Sequence, residues 1–194
     1  VYLYTQFEVS DARRMYANFE QPDLKATFAF TITAPAHWRV ISIAPSPEPV
    51  PAGEDSDGQP IATWTFEKTP KISTYLTALI AGKYEGYDGT ITSRNGREIP
   101  AGVYARASLA PYLDGEYIVS IAQQGFEFYE NLFDYDYPFP TYDQIFVPEY
   151  NMGAMEHPGA VTFVERYVFR SAVSDAIRER RDLTILHELA HMWF

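Results

Sequence analysis

Along the first hundred residues, apolar and polar positions alternate in short bursts divided by turn-forming residues. Thr27-Phe28-Ala29-Phe30-Thr31-Ile32-Thr33 repeats at period two, the mark of a half-buried strand. Val1 to Tyr4, Val40 to Ala44 and Thr63 to Glu67 read the same way, whereas Lys71 to Gly82 is more continuously apolar, as a strand buried on both faces would be. The stretch from Pro45 to Pro60 is rich in Pro, Gly and acid and predicts a loop. Asn95-Gly96, set between Thr90-Ile91-Thr92 and Glu98-Ile99, predicts a hairpin because both turn residues tolerate positive φ.

Beyond about Arg106 the period changes. Ile118, Ile121, Ala122, Phe126 and Tyr129 recur at helical spacing, predicting an amphipathic helix over 115–133. A connection rich in Pro and Tyr, Asp134 to Tyr142, leads to a short strand at Gln144 to Val147 and a β-rich run from Ala160 to Phe169. A second helix is predicted from about Ser174 to the end. Strands first and mixed elements afterwards give an α+β fold class, with a β-rich first domain over 1–105 and a second domain over 106–194.

Composition narrows the partners. A formal net charge of -11 with no cluster of Lys and Arg excludes a phosphate-tracking surface, so nucleic acid is not an expected partner. The same acidity suits a cationic ligand, such as a peptide with a free amino terminus. The absence of cysteine removes disulfides and thiolate metal sites from these residues and fits a reducing, cytoplasmic compartment. No apolar run approaches the ~20 residues of a membrane span. The chain starts inside a strand pattern without Met and ends on an unfinished helical one, as an excerpt of a longer protein would.

The sharpest chemical signal is His187-Glu188-Leu189-Ala190-His191. Residues four apart on a helix differ by about 40° in direction and about 6 Å in height, so both imidazoles project from one face and can grip one ion. Neutral imidazole is a good zinc ligand. Glu188 flanks that face and can take a proton from water activated there, the role of a general base. Ile185, Leu189, Met192 and Trp193 lie opposite, with Leu183, Leu186 and Phe194 filling much of the rest, so the helix is expected inside a core. His37 is expected to be structural or a surface residue.

Three separated segments together resemble the aminopeptidase N family of zinc metallopeptidases. They are His187 to His191, continued as Met192-Trp193-Phe194; Gly153-Ala154-Met155-Glu156-His157, which looks like the family's G-A-M-E-N motif; and Thr5-Gln6-Phe7-Glu8 with Phe19 to Ala26. The resemblance implies a thermolysin-like catalytic domain beginning after the β-rich one. Its zinc ligands would be His187 and His191, with Glu188 as general base. Glu156 would anchor the substrate's α-ammonium, helped by Gln6 and Glu8. The backbone of Gly153 and Ala154 would pair with the substrate like an added strand, and Met152 and Met155 would cushion the first side-chain pocket. His157 stands at the motif's usual Asn position and is not expected to bind metal. A third, carboxylate ligand and a transition-state Tyr would come from a downstream part of the same domain, so one zinc ion is expected per intact domain, while these residues alone are expected to bind it weakly or not at all and to be inactive. The expected substrates are short peptides with a free amino terminus. An endopeptidase, an epoxide-hydrolysing relative and a catalytically dead scaffold are the alternatives.

Overall fold

The structure, a computed structural model, describes residues 1–194. It is an α+β protein made of two compact units, Val1–Lys83 and Tyr84–Phe194. No helix is long and apolar enough to cross a membrane.

The first unit carries two three-stranded antiparallel sheets. In one, β1 (Tyr2–Tyr4) and β3 (Arg39–Ile41) flank β6 (Ile80–Gly82). In the other, β2 (Thr31–Pro35) and β4 (Val50–Glu54) flank β5 (Pro60–Thr65). A core of Val40, Ala62, Trp64, Phe66 and Ala81 takes in the inner face of Phe30, Ile32, Trp38 and Leu79. Alternation explains this for β5, where Ala62 and Trp64 are buried while Thr65 is exposed. Gly82 has φ +154°, and a Cβ there would lie 2.7 Å from Tyr2 Cδ1, so only glycine lets β1 and β6 approach.

Two expectations change here. The stretch 45–60 contains β4, whose residues are all exposed. An edge strand tolerates Pro51, and without a buried face it shows no alternation. Of Lys71 to Gly82, only β6 is strand; Thr74–Leu76 form a single 3-10 turn. Strand β1 ends at Tyr4, so Gln6 and Glu8 lie beyond it, in the irregular segment and turn on either side of the buried Phe7.

The second unit is built on a five-stranded sheet. Its strands are β7 (Tyr84–Thr92), β8 (Glu98–Arg106), β9 (Asp143–Val147), β10 (Ala154–Met155) and β11 (Ala160–Val164), in the order β10-β11-β9-β8-β7. The β7–β8 hairpin turns at Asn95-Gly96, with Ser93 N–H donating to the Arg97 carbonyl at 2.9 Å. Only Gly96 takes positive φ there, +82°. Strands β8 and β9 run parallel, which requires a crossover, and helix α1 (Gly115–Phe133) supplies it. The helix spans the residues that its period predicts, burying Ile118, Val119, Ala122, Phe126 and Glu130.

The units divide between Lys83 and Tyr84, not near residue 105. The reason is the sheet: β8 is paired with β9, so the whole hairpin belongs with the elements that follow it.

Candidate metal centre

Helix α2 (Asp175–Ala190) carries the histidine motif. It is not enclosed on all sides. Arg181, Ile185, Glu188 and Leu189 are buried, spaced four, three and one apart, so a single stripe faces the core. Leu183 and Phe194, expected inside, are 66% and 76% exposed. The buried stripe meets α1 at Gly125, where an added Cβ would lie 2.5 Å from Leu189 Cδ2 and 2.7 Å from Leu186 Cδ2. Tyr129 of α1 donates its hydroxyl to the Leu186 carbonyl at 3.0 Å.

This placement leaves His187 on the open side, buries Glu188 and makes His191 the C-terminal cap of the helix. The Nε2 atoms of His187 and His191 are 3.3 Å apart. Two imidazoles on a tetrahedral zinc, each nitrogen about 2.0–2.1 Å from it, would hold those atoms about 3.3–3.4 Å apart. The separation of the pair therefore matches that of two ligands on one such ion.

Glu156 follows the edge strand β10. One donor atom from each of Glu156, Glu188 and His191 falls in a group whose members all lie within 4.8 Å of one another. His187 stands outside that trio and joins it through His191. Two carboxylates this close repel each other, and a divalent cation or a ligand ammonium between them relieves the repulsion. Imidazole nitrogen with carboxylate oxygen is a donor set that zinc accepts.

Strand β10 presents its backbone in a defined way. The Val164 N–H donates to the Gly153 carbonyl at 3.0 Å, and Ala154 lies opposite Phe163. In an antiparallel ladder the next residue then turns its N–H and C=O the other way, so those of Ala154 face the outer rim of the sheet. The outer side is unpaired because β10 is an edge strand. A Cβ added at Gly153 would meet nothing within 4 Å.

The remaining motif residues separate. Met155 is fully buried, which leaves its side chain no face for a ligand, while Met152 is more than a third exposed. His157 is fully buried, and its carbonyl accepts from the Ala160 N–H at 3.0 Å. It is not one of the clustered donors. Gln6 and Glu8 belong to the first unit, and so does His37, which is exposed.

One residue near the site escaped the sequence reading. Tyr142 precedes β9, is fully buried, and its hydroxyl makes no hydrogen bond. Burial pushes its phenol well above the ordinary value, and the negative charge of Glu188 adds to the rise. The only hint in the sequence was the density of Tyr in the connection before β9.

Comparison with known proteins bears on the same segments. Residues 117–194 match the family described as Peptidase family M1 domain, and residues 1–76 match Peptidase M1 N-terminal domain. The chain is 55% identical over 193 residues to an aminopeptidase N of Streptomyces lividans, covering 100% of this chain and 21% of that protein. Over 194 residues it is 34% identical to an aminopeptidase N of Acetobacter pasteurianus, covering 98% of this chain and 51% of that one. With the mouse (Mus musculus) aminopeptidase N the identity is 36% over 193 residues, covering 98% of this chain and 19% of the relative. The chain thus spans between about a fifth and about half of the length of these curated relatives.

Proposed function

The chain belongs to peptidase family M1, and from that premise we propose that it contributes the motif helix and the amine-binding strand of a zinc-dependent aminopeptidase acting on short peptides. The observation that carries this reading is the convergence of Glu156, Glu188 and His191, with the Nε2 of His187 3.3 Å from that of His191.

His187 and His191 would hold the zinc ion, their nitrogens already spaced for it. Zinc supplies Lewis-acid polarisation of a carbonyl and lowers the pKa of water. The protein's own groups do the rest. Glu188, buried beside the imidazole of His191, takes the proton of the attacking water and returns it to the leaving amine. Glu156 accepts charge-assisted hydrogen bonds from the substrate's α-ammonium. Because Glu156 and Glu188 share one small group of donors, the ammonium and the reacting carbonyl are held about one residue apart, which is what makes an exopeptidase. The outward N–H and C=O of Ala154 align the substrate backbone along the rim. Gly153, with open space around its α-carbon, keeps that rim clear.

Two measurements test the reading. Zinc titration of a longer polypeptide that contains this chain and the downstream part of its domain, against a chromophoric chelator, should show one site, with His187→Ala and His191→Ala each weakening it at least about tenfold. A longer polypeptide containing this chain should cleave free peptides and leave amino-terminally acetylated ones intact. A zinc affinity indifferent to both histidines, or equal cleavage of blocked peptides, overturns it.

A further inference from the structure

The regular ladder of α2 runs to Ala190, and His191 is its C-terminal cap. The backbone N–H groups of the two residues after it make single-turn bonds, Met192 to the Leu189 carbonyl at 3.0 Å and Trp193 to the Ala190 carbonyl at 3.2 Å. Bonds of this kind are the weakest part of any helix, and an imidazole carried there is not fixed by the helix itself. Phe194, the next residue, is 76% exposed, its ring 6.2 Å from that of His191 and 5.4 Å from that of Phe133, and it makes no hydrogen bond to a neighbouring element comparable to that of Trp193.

Trp193 is tied down from elsewhere. Its indole Nε1–H donates to the Tyr135 carbonyl at 2.8 Å. Its ring packs edge-on against Phe126 at 5.9 Å and Tyr137 at 5.7 Å, and lies 5.7 Å from Tyr129. The carbonyl it uses belongs to a segment that is itself locked. Tyr137 N–H donates to the Glu130 carboxylate at 2.8 Å, and Arg94 reaches the Asp134 carboxylate at 2.8 Å. Indole N–H is a donor only, so its single hydrogen bond sets the ring's direction as well as its place.

We propose that Trp193 is a positioning residue for the metal centre, holding the imidazole of His191 in register with that of His187 by pinning the last turn of α2 to the Tyr135 carbonyl. The proposal rests on the reading of His191 as a metal ligand, but its test separates the two. Trp193→Phe keeps the aromatic packing and removes the N–H; Trp193→Ala removes both. Trp64→Phe, in the core of the first unit, serves as a control for general loosening.

Each variant, made in a longer polypeptide that carries this chain and the downstream part of its domain, is titrated with zinc against a competing chelator, and hydrogen exchange is followed at the amides of the last turn of α2 and of its first two turns. Trp193→Phe should weaken zinc binding by roughly three- to tenfold, the worth of one hydrogen bond. Trp193→Ala should weaken it by at least about tenfold, as removal of a ligand's support does. Exchange should quicken in the last turn alone, and Trp64→Phe should change neither readout. Wild-type zinc affinity and last-turn exchange in both Trp193 variants would overturn the proposal, as would an equal loss of affinity in Trp64→Phe. A wild-type longer polypeptide that binds no zinc would instead defeat the preceding reading, and last-turn exchange would still decide whether Trp193 is the anchor.

Discussion

Glu130→Gln tests how the second unit is held together. Glu130 is fully buried on α1, three donors converge on its carboxylate, and it donates to none. Oε1 accepts from the Ser93 hydroxyl and from Tyr137 N–H at 2.8 Å, and Oε2 accepts from Arg94 N–H at 2.7 Å. One side chain thus joins the hairpin tip, the end of α1 and the segment leading to β9. Glutamine has the same shape, but one of its two polar atoms is a donor. With the amide oxygen at the Oε1 position, the NH2 faces Arg94 N–H; flipped, it faces Tyr137 N–H. Either way a backbone N–H loses its acceptor, the part-buried one of Arg94 or the buried one of Tyr137, which costs about 1–3 kcal/mol. The surviving bonds lose their charge assistance, but the desolvation of a buried carboxylate is relieved, so the net loss is about 2 kcal/mol. Both α-helices lie in the second unit, so ellipticity at 222 nm during urea unfolding reports mainly on it. At a slope of ~1–3 kcal/mol/M the midpoint should fall by roughly 1 M. A midpoint within about 0.2 M of wild type, at unchanged slope, would refute the reasoning.

Three further outcomes follow from other parts of the structure. Gly86→Ala should cost more than about 3 kcal/mol or abolish folding of the second unit, since its Cβ would lie 1.9 Å from the Val103 carbonyl oxygen of the paired strand; an unchanged helical unfolding transition would contradict this. In a longer polypeptide that carries this chain, Glu156→Gln should lower kcat/KM on free peptides by roughly 10- to 150-fold, the loss of a charge-assisted hydrogen bond. An unaltered kcat/KM would remove Glu156 from amine binding. The hydrogen bond from Arg94, seconded by one from Asn95, holds the Asp136 carboxyl below its ordinary value. Its contribution to stability is complete above the ordinary carboxylate range and fades as pH falls through the depressed value. Carboxyl titration by NMR should show Asp136 returning to the ordinary range in Arg94→Ala.

Local pattern and tertiary placement divide what could be read beforehand. Helix α1 was legible because its period runs long enough to override noise, and the histidine pair because its spacing is intrinsic to a helix. Strand β4 was hidden because Val50–Glu54 is an exposed edge with no buried side to alternate against. The unit boundary was misplaced because β8 pairs with β9 across 36 intervening residues, a contact without a local signature. Apolar content misled at Leu183 and Phe194, since hydrophobic residues often stay on a surface. The nearness of Glu156 to the histidine motif came from resemblance alone, no periodicity linking β10 to α2. Tyr142 beneath Glu188 and the Tyr135 carbonyl that receives Trp193 depend on how α1 crosses the sheet, and nothing in their own neighbourhoods announces them.

The brevity of β10 governs how affinity can scale with ligand length. Outward-facing donor and acceptor groups on a strand recur every second residue, about 6.6–6.8 Å apart. Two residues therefore offer one complete set, at Ala154. Main-chain pairing saturates on the first residue of any extended molecule laid along it, so a tripeptide and a decapeptide gain equally from that edge. The same shortness denies a neighbouring protein the length it would need to template a continuous sheet there.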